Sequence, residues 1–272
     1  MKKEIRKEKR EWIQKNKSKW IAMGVGATLL VLGIVLTAVT RAGAIAEGAA
    51  NGIKIPFALG LIMILAGIVI PLAAAAPERK PVNVRTLAMA SLFAALCYIG
   101  FSYCKIDIPV GMEKTAFHLG NVFCVLAALF MGGMWGGMAG AVGMTIADLT
   151  TAYVTSAPKT FLLKLCIGLI TGFVAHKLFK ISQDKEERKI PLTVATAISC
   201  AAGMAFNIVA DPLVGYFYKM YILGVPQEAA SIWAKIGAVT TSVNAVVAVI
   251  AATVLYMALR KAMKRTNLLP KL

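Results

Sequence analysis

The chain has 272 residues, of which 58% are hydrophobic and only 16% are charged, and its mean hydropathy is +0.72. This composition excludes an ordinary soluble domain and indicates an integral membrane protein. A net charge of +17 is also found in nucleic-acid-binding proteins, but nine of the 30 Lys and Arg residues fall within residues 2–19 and most others lie in short stretches between apolar runs. The basic residues are therefore distributed as in a membrane protein, in the segments between the apolar spans.

The N-terminal part of the chain predicts a basic head followed by two membrane helices. We expect residues 1–20 to be a solvated cytoplasmic flank, with an amphipathic helix on the membrane surface as the alternative. Residues 21–80 form a two-helix membrane extension, with spans at 21–40 and 55–76. The small residues that follow Arg41 leave a cleaved signal peptide as the alternative for the first span.

A six-helix membrane domain is predicted for residues 81–265, followed by a tail at 266–272. Its spans lie at 86–104, 116–131, 137–155, 160–177, 191–217 and 232–259. The Gly-rich stretch 132–137 is too short to be anything except a turn between adjacent antiparallel helices. The polar segment Lys105–Lys114 contains Pro109 and Gly111 and is either a lid or an ordinary connector.

The distribution of Lys and Arg between alternating loops predicts the orientation. With the basic head in the cytoplasm, the inner segments carry 22 basic residues and the outer segments carry six. Eight spans with both termini in the cytoplasm satisfy the positive-inside rule at every loop. We therefore expect a multi-pass protein of the cell membrane.

Polar side chains inside the apolar runs are the main functional signal, because a polar group without a partner costs several kcal/mol in hydrocarbon. Four of these side chains are ionisable and two are amides: Asp148, Lys164, Asp211, Lys235, Asn121 and Asn207. With the predicted orientation, all six lie in the outer half of the membrane. Ionisable residues within membrane helices indicate a functional site by default.

Two interpretations of these residues stay open. Either they line a solute pocket, or Asp148 pairs with Lys164 and Asp211 pairs with Lys235 to hold helices together, while the asparagines form interhelical hydrogen bonds. Four tyrosines either join such a pocket or form an interfacial aromatic belt. They are Tyr153, Tyr216, Tyr218 and Tyr221.

The inner half differs, because its helices carry small residues at four-residue spacing, which permits close helix packing in lipid. The pairs are Ala90 with Ala94, Gly132 with Gly136, Gly133 with Gly137, and Gly136 with Gly140. A polar outer half above a small-residue base predicts a pocket that opens to the outside.

No catalytic or metal-binding motif is present in the sequence. The five cysteines, in odd number and without C-x-x-C spacing, favour buried apolar side chains over a disulfide framework or a zinc site. His118 and His176 fall at opposite faces of the membrane and cannot share a metal. There is no phosphate loop, no H-E-x-x-H and no G-x-S-x-G sequence. We expect no catalysis, no cofactor and no metal.

The central stretch resembles the substrate-binding S component of energy-coupling factor (ECF) vitamin transporters, in the riboflavin-transporter-like group. The likeness is carried by Phe117-His-Leu-Gly-Asn121, Trp135-Gly-Gly137, Ala147-Asp-Leu149 with Tyr153, Ala157-Pro-Lys-Thr160 and Lys164, and it covers about 85 to 262. It implies a six-helix membrane subunit that captures a vitamin from outside and topples to release it. It also implies partners, namely one transmembrane coupling protein and two cytoplasmic ATPases, with Ala90 and Ala94 as the docking motif on the first helix.

The two N-terminal spans depart from the six-helix pattern of that family and leave the docking geometry open. Our interpretation is a solute-binding subunit of an ATP-driven importer for a pyridoxine-like, pyrimidine or flavin compound. The expected pocket residues are Asn121, Asp148, Tyr153, Lys164, Asn207, Asp211, Tyr216 and Lys235. The alternatives are a stand-alone secondary transporter, a membrane enzyme and a structural scaffold.

Overall fold

The computed structural model describes residues 19–36, 84–110, 113–182 and 190–266, with a few isolated positions between 17 and 71. The chain divides into two compact units, Met1–Pro77 and Glu78–Leu272. In the first unit, helix α1 (Lys19–Leu36) is long and apolar enough to cross a membrane. The basic head, the predicted cleavage site after Arg41 and most of the predicted span at 55–76 lie outside the described residues.

The described part of the second unit contains long helices and one β-hairpin. In chain order they are α2 (Val84–Ser102), β1 (Lys105–Val110), β2 (Glu113–His118), α3 (Gly120–Leu149), α4 (Ala157–Phe173), α5 (Leu192–Phe217) and α6 (Gln227–Arg265). A 3₁₀ turn precedes α4, and one π-helical turn extends each of α4 and α5. All five helices are long and apolar enough to cross a membrane, so the chain is an integral membrane protein of helical architecture.

Helix α3 is two antiparallel arms joined by a reversal at Gly132. This residue has φ 79° and ψ 172°, a conformation that favours glycine. Beyond the reversal, Gly136 lies against the backbone of Ala128 and Gly140 lies against Cys124, so the second arm runs back along the first. The predicted turn is confirmed but is narrower than 132–137. With its two arms counted separately, the described part of the second unit has six helical rods.

The small residues of the second arm serve close helix packing. Gly133 and Gly137 lie against Gly168 and Gly172 of α4, where an added Cβ would collide with the opposite backbone. The spacing of Gly133 and Gly137 therefore supports a close helix crossing, as the sequence predicted.

The segment before α3 corrects the predicted boundaries. Residues 113–118 are not the start of a membrane helix but strand β2, which pairs antiparallel with β1 from Lys105↔His118 to Val110↔Glu113. The polar segment 105–114 is therefore most of an ordered hairpin. Alternating side chains and a short loop suit a strand pair at the end of the bundle better than a helix.

The two ends of the bundle carry different polar contacts. The hairpin lies at one end, beside a cavity that α3, α5 and α6 also line. At the other end, Arg260 Nη2 donates a 2.8 Å hydrogen bond to the carbonyl of Ile181, and His176 Nε2 lies 3.1 Å from the carbonyl of Ala128. His118 and His176 therefore lie at opposite ends, as expected.

Four cysteines are buried, as the sequence predicted, but Cys104 is exposed. Cys104 was expected to be a buried apolar side chain at the edge of a span. It is exposed because α2 ends at Ser102 and the chain turns there into β1.

Candidate functional site

A cavity of about 130 Å³ opens at the hairpin end of the bundle. The hairpin and all the helices from α2 to α6 contribute to its wall. Its charged lining residues are Lys114, Lys159, Lys164, Lys219, Asp148 and Asp211. Charges inside membrane helices that face a cavity mark a functional site.

Lys164 on α4 points into the bundle and is held there by an amide. Its Nζ donates a 2.9 Å hydrogen bond to Asn121 Oδ1 on the first arm of α3, and both side chains are buried. The neighbouring Cys124 Sγ lies 3.8 Å from the carbonyl of Lys164. Asn121 therefore does not line the cavity itself but positions a lysine that does.

Asp211 on α5 forms an ion pair with Lys159, at the start of α4. The Lys159 Nζ lies 2.7 Å from Asp211 Oδ1, and the hydroxyl of Thr241 on α6 donates to Asp211 Oδ2 at 3.0 Å. Pro212 follows within the helix and has no N–H to donate to the preceding turn. Three helices thus meet at one carboxylate beside the cavity.

Asp148 is the buried carboxylate of the second arm of α3. Its residue is 2% exposed, and Oδ2 has no hydrogen-bonding partner among the residues that the structure describes. The hydroxyl of Thr160 on α4 neighbours the Asp148 carboxylate, and both residues line the cavity. A buried polar atom without a partner is costly unless a ligand or water completes it.

His118, the last residue of β2, is fixed on several sides. Its ring Nδ1 accepts a 3.2 Å hydrogen bond from the backbone N–H of Gly120, and its backbone N–H donates to Asn244 Oδ1 at 3.0 Å. The ring packs edge-on against Phe101, with centroids 4.7 Å apart. Asn244 also donates to the carbonyl of Ala116, so one side chain of α6 anchors the strand through two hydrogen bonds.

A second set of contacts ties the hairpin to the turn before α4. The hydroxyl of Tyr153 donates a 3.0 Å hydrogen bond to Asp107 Oδ1, and Lys105 Nζ lies 3.3 Å from the same oxygen. Lys105 also lies over the rings of Phe101 and Tyr153. Burial and the hydrogen bond to Asp107 raise the pKa of Tyr153 above its ordinary range, so the phenol stays protonated.

Aromatic side chains from α5 and α6 line the cavity. Lys219 Nζ lies 4.2 Å from the ring centroid of Trp233, and Tyr216 lines the cavity beside them. Aromatic faces next to cations suit a flat heteroaromatic solute.

The structure brings together most of the predicted pocket residues. Asp148, Tyr153, Lys164, Asp211 and Tyr216 line the cavity. Asn207 is buried on α5 but is not in the cavity wall, and Asn121 contacts the wall only through Lys164.

Lys235 differs from the prediction, because it is exposed and outside the cavity lining. Trp233, Ala234 and Gly237, within two residues of Lys235 on α6, line the cavity. Lys235 therefore lies on a different face of the helix. The alternative pairing also differs: Asp211 pairs with Lys159 rather than with Lys235, and Lys164 bonds Asn121 rather than Asp148.

Several lining residues were missed by sequence reasoning. Lys159 and His118 were named within the family-like motifs but not among the expected pocket residues. Lys159 was counted as a basic residue of an outer loop, and His118 was considered as a metal ligand. Thr240, Thr241 and Asn244 form a polar cluster within the apolar run of α6, a signal that could have been read.

The predicted docking alanines lie towards the interior in this structure. Ala90 is buried, and Ala94 lies against Gly143 on the second arm of α3. The buried face of α2 repeats with Phe93, Cys97 and Phe101, at helical spacing from Ala90. The exposed small residues of α2 are Ala88, Ser91 and Ala95.

The sequence model of the family described as "ECF-type riboflavin transporter, S component" matches residues 81–261. The chain belongs to this family. The matched range contains the hairpin, helices α2–α5, most of α6 and the whole cavity wall, while the unit Met1–Pro77 lies outside it. Comparison with curated proteins and with solved structures yields no significant match.

Membership in this family has direct consequences for the cavity. An S component is the substrate-binding part of a membrane transporter rather than an enzyme, and the family implies a small-molecule substrate and ECF partners. The cavity at the hairpin end brings several buried polar groups of the described S-component fold together.

Proposed function

We propose that this S component captures a riboflavin-like heteroaromatic vitamin in the cavity at the hairpin end and delivers it to an ATP-driven ECF module. The observation that carries the proposal is the wall itself. It combines the buried Asp148 and Lys164 with the Lys159–Asp211 ion pair around one cavity.

The chemistry of the wall favours a flat solute with polar edges. Phe101, Tyr153, Tyr216 and Trp233 supply aromatic faces. Asp148, Lys164 and His118 supply hydrogen-bonding groups between those faces. Such a mixture orients a heteroaromatic ring by stacking and selects it by hydrogen bonds.

Orientation follows from the basic residues. The proposal places both termini in the cytoplasm and the hairpin outside, because 22 basic residues fall in the inner segments and six in the outer ones. The cavity mouth then faces the side from which a vitamin is captured.

Delivery requires docking to the coupling protein, and α2 is the proposed docking helix. In this structure its exposed small residues are Ala88, Ser91 and Ala95, whereas Ala90 and Ala94 pack inward. Ala90 and Ala94 take part in docking only if α2 turns about its axis when the complex forms. Leucine at Ala88 or Ala95 would block docking to the present face, and leucine at Ala90 or Ala94 would instead perturb the bundle.

The test is equilibrium binding by the purified full-length chain. Riboflavin is titrated by quenching of its fluorescence, and pyridoxine, uracil and the aminopyrimidine portion of thiamine are compared by thermal shift. We expect at least one compound to bind with a Kd well below micromolar, and Lys164→Ala to weaken that binding. Lys235→Ala is the matched control, because it removes an exposed lysine outside the cavity. Failure of all four compounds to bind a folded protein would contradict the proposal.

A further inference from the structure

The ring of His118 offers one hydrogen-bonding atom to the cavity, and its protonation can be assigned. Nδ1 accepts the N–H of Gly120, so it carries no proton. In a neutral imidazole the other nitrogen then carries the proton. Nε2–H is therefore a donor on a residue that lines the cavity wall.

The surroundings keep the ring neutral. Burial, and after it the positive charge of Lys164, lower the pKa of His118 to about 3. The charged groups around it are Lys164 on α4, Asp211 on α5 and Lys105 on β1, and only Asp211 acts in the opposite direction. A neutral histidine with one occupied nitrogen is a directional donor rather than a charge.

The ring cannot easily turn away from this role. Its strand is anchored by the two hydrogen bonds of Asn244, and its face lies edge-on to Phe101. Rotation about the Cβ–Cγ bond would break the contact with Gly120. The donor is therefore held in place before any solute arrives, which lowers the entropic cost of binding.

Asp148 supplies the opposite kind of group to the same cavity. Its Oδ2 is buried and has no partner among the described residues. A carboxylate oxygen accepts hydrogen bonds, so a solute satisfies it with an N–H or O–H group. A cationic solute is disfavoured, because four lysines and only two aspartates line the cavity.

We propose that the Nε2–H of His118 and the carboxylate of Asp148 together select the solute, by donating to its carbonyl or ring nitrogen and accepting from its N–H or O–H. This inference rests on the proposed function and narrows it to a neutral heteroaromatic compound with a cyclic amide or imide edge. In this arrangement His118 is a specificity-determining residue.

The first experiment compares two replacements of His118 in the full-length protein, with riboflavin as the probe. His118→Gln keeps a neutral N–H donor, whereas His118→Phe keeps the flat ring against Phe101 and loses the donor. We expect His118→Phe to raise Kd about tenfold or more and His118→Gln to stay within about threefold of the wild type. Equal Kd values for both variants and the wild type would overturn the role of the donor.

The second experiment identifies which group of the ligand contacts Asp148. Asp148→Ala and the wild type are titrated with riboflavin, with 3-methylriboflavin, which lacks the imide N–H, and with lumiflavin, which lacks the ribityl hydroxyls. We expect Asp148→Ala to weaken riboflavin binding about tenfold or more and to weaken 3-methylriboflavin binding little. An undiminished effect with 3-methylriboflavin that is lost with lumiflavin would place Asp148 at the ribityl chain and overturn the imide assignment. An undiminished effect with both analogues would overturn direct contact altogether.

A folding control and the choice of compounds distinguish a failure of this inference from a failure of the proposed function. Each variant is first compared with the wild type by thermal unfolding. If His118→Phe does not fold, the Kd for riboflavin is measured from about pH 8 to about pH 5, and we expect the same pH dependence in the wild type and in His118→Gln. A Kd that rises steeply across that range in the wild type and not in His118→Gln would overturn the neutral donor. Binding of pyridoxine but not of riboflavin or uracil would overturn the imide edge while the proposed function stands. Failure of every compound would overturn the proposed function instead.

Discussion

Lys159 Nζ and Asp211 Oδ1 lie 2.7 Å apart and join the start of α4 to α5 one residue before Pro212. The pair is partly shielded, with 13% of the lysine side chain and 27% of the aspartate side chain exposed. The hydroxyl of Thr241 on α6 donates a hydrogen bond to the other carboxylate oxygen of Asp211. This contact closes one wall of the cavity and holds three helices at a fixed separation.

Removing one member of this pair is expected to destabilise the bundle. Among the described residues, Lys159→Met leaves Asp211 with Thr241 as its hydrogen-bonding partner. The partial exposure of the pair limits the loss to about 1–2 kcal/mol, below the ~3–5 kcal/mol for fully buried pairs. Thermal unfolding measures the change. The double variant Lys159→Met with Asp211→Asn should lose less than the sum of the two single variants; strict additivity would show that the two residues do not interact.

The reversal of α3 depends on a glycine with positive φ. Gly132→Ala is expected to lower the free energy of unfolding by about 1–2 kcal/mol, because an L side chain is strained at φ 79°. Gly24→Ala in α1 is the control, since nothing lies within 4 Å of an added Cβ there. Equal Tm values for the two variants would indicate that the reversal tolerates a side chain.

The low pKa of His118 predicts a pH dependence of stability. Between its ordinary value of 6.5 and its folded value of about 3, the unfolded chain binds a proton that the folded chain does not. The free energy of unfolding contributed by His118 is therefore complete above pH 6.5 and is lost as the pH falls towards 3. Thermal unfolding of the wild type should show a steeper loss over this window than that of His118→Gln. Parallel curves would mean that His118 titrates alike in both states.

Cys104 provides a test of orientation. It is exposed next to β1, whereas the other four cysteines are buried. A membrane-impermeant maleimide added to intact cells should label the wild-type protein, and Cys104→Ser should abolish that labelling. Labelling only after the cells are lysed would place the hairpin in the cytoplasm and reverse the proposed topology.

Much of the membrane architecture could be predicted from the sequence, because apolar runs and their glycines reflect local physics. The reversal near Gly132 and the crossing at Gly133 and Gly137 follow from spacing alone. The hairpin was not recognised, because Ala116 and Phe117 were assigned to the same span as the apolar run after Asn121, although His118, Gly120 and Asn121 lie between them.

The partners within the site were harder to predict than its members. Asp148, Lys164 and Asp211 were found because charges in hydrocarbon are costly. The Lys159–Asp211 contact joins residues 52 positions apart and depends on how α4 and α5 rotate about their axes. That rotation is set by packing against three neighbours, which no single helix encodes, and the same cause turned Lys235 away from the cavity.

The central claim is that the cavity binds a vitamin-like solute through its buried polar wall. Riboflavin titration of the purified full-length protein beside Lys164→Ala and Lys235→Ala tests it most directly. We predict a Kd well below micromolar for the wild type and for Lys235→Ala, and a Kd raised about tenfold or more for a folded Lys164→Ala. Binding by Lys164→Ala as tight as that of the wild type would contradict the claim.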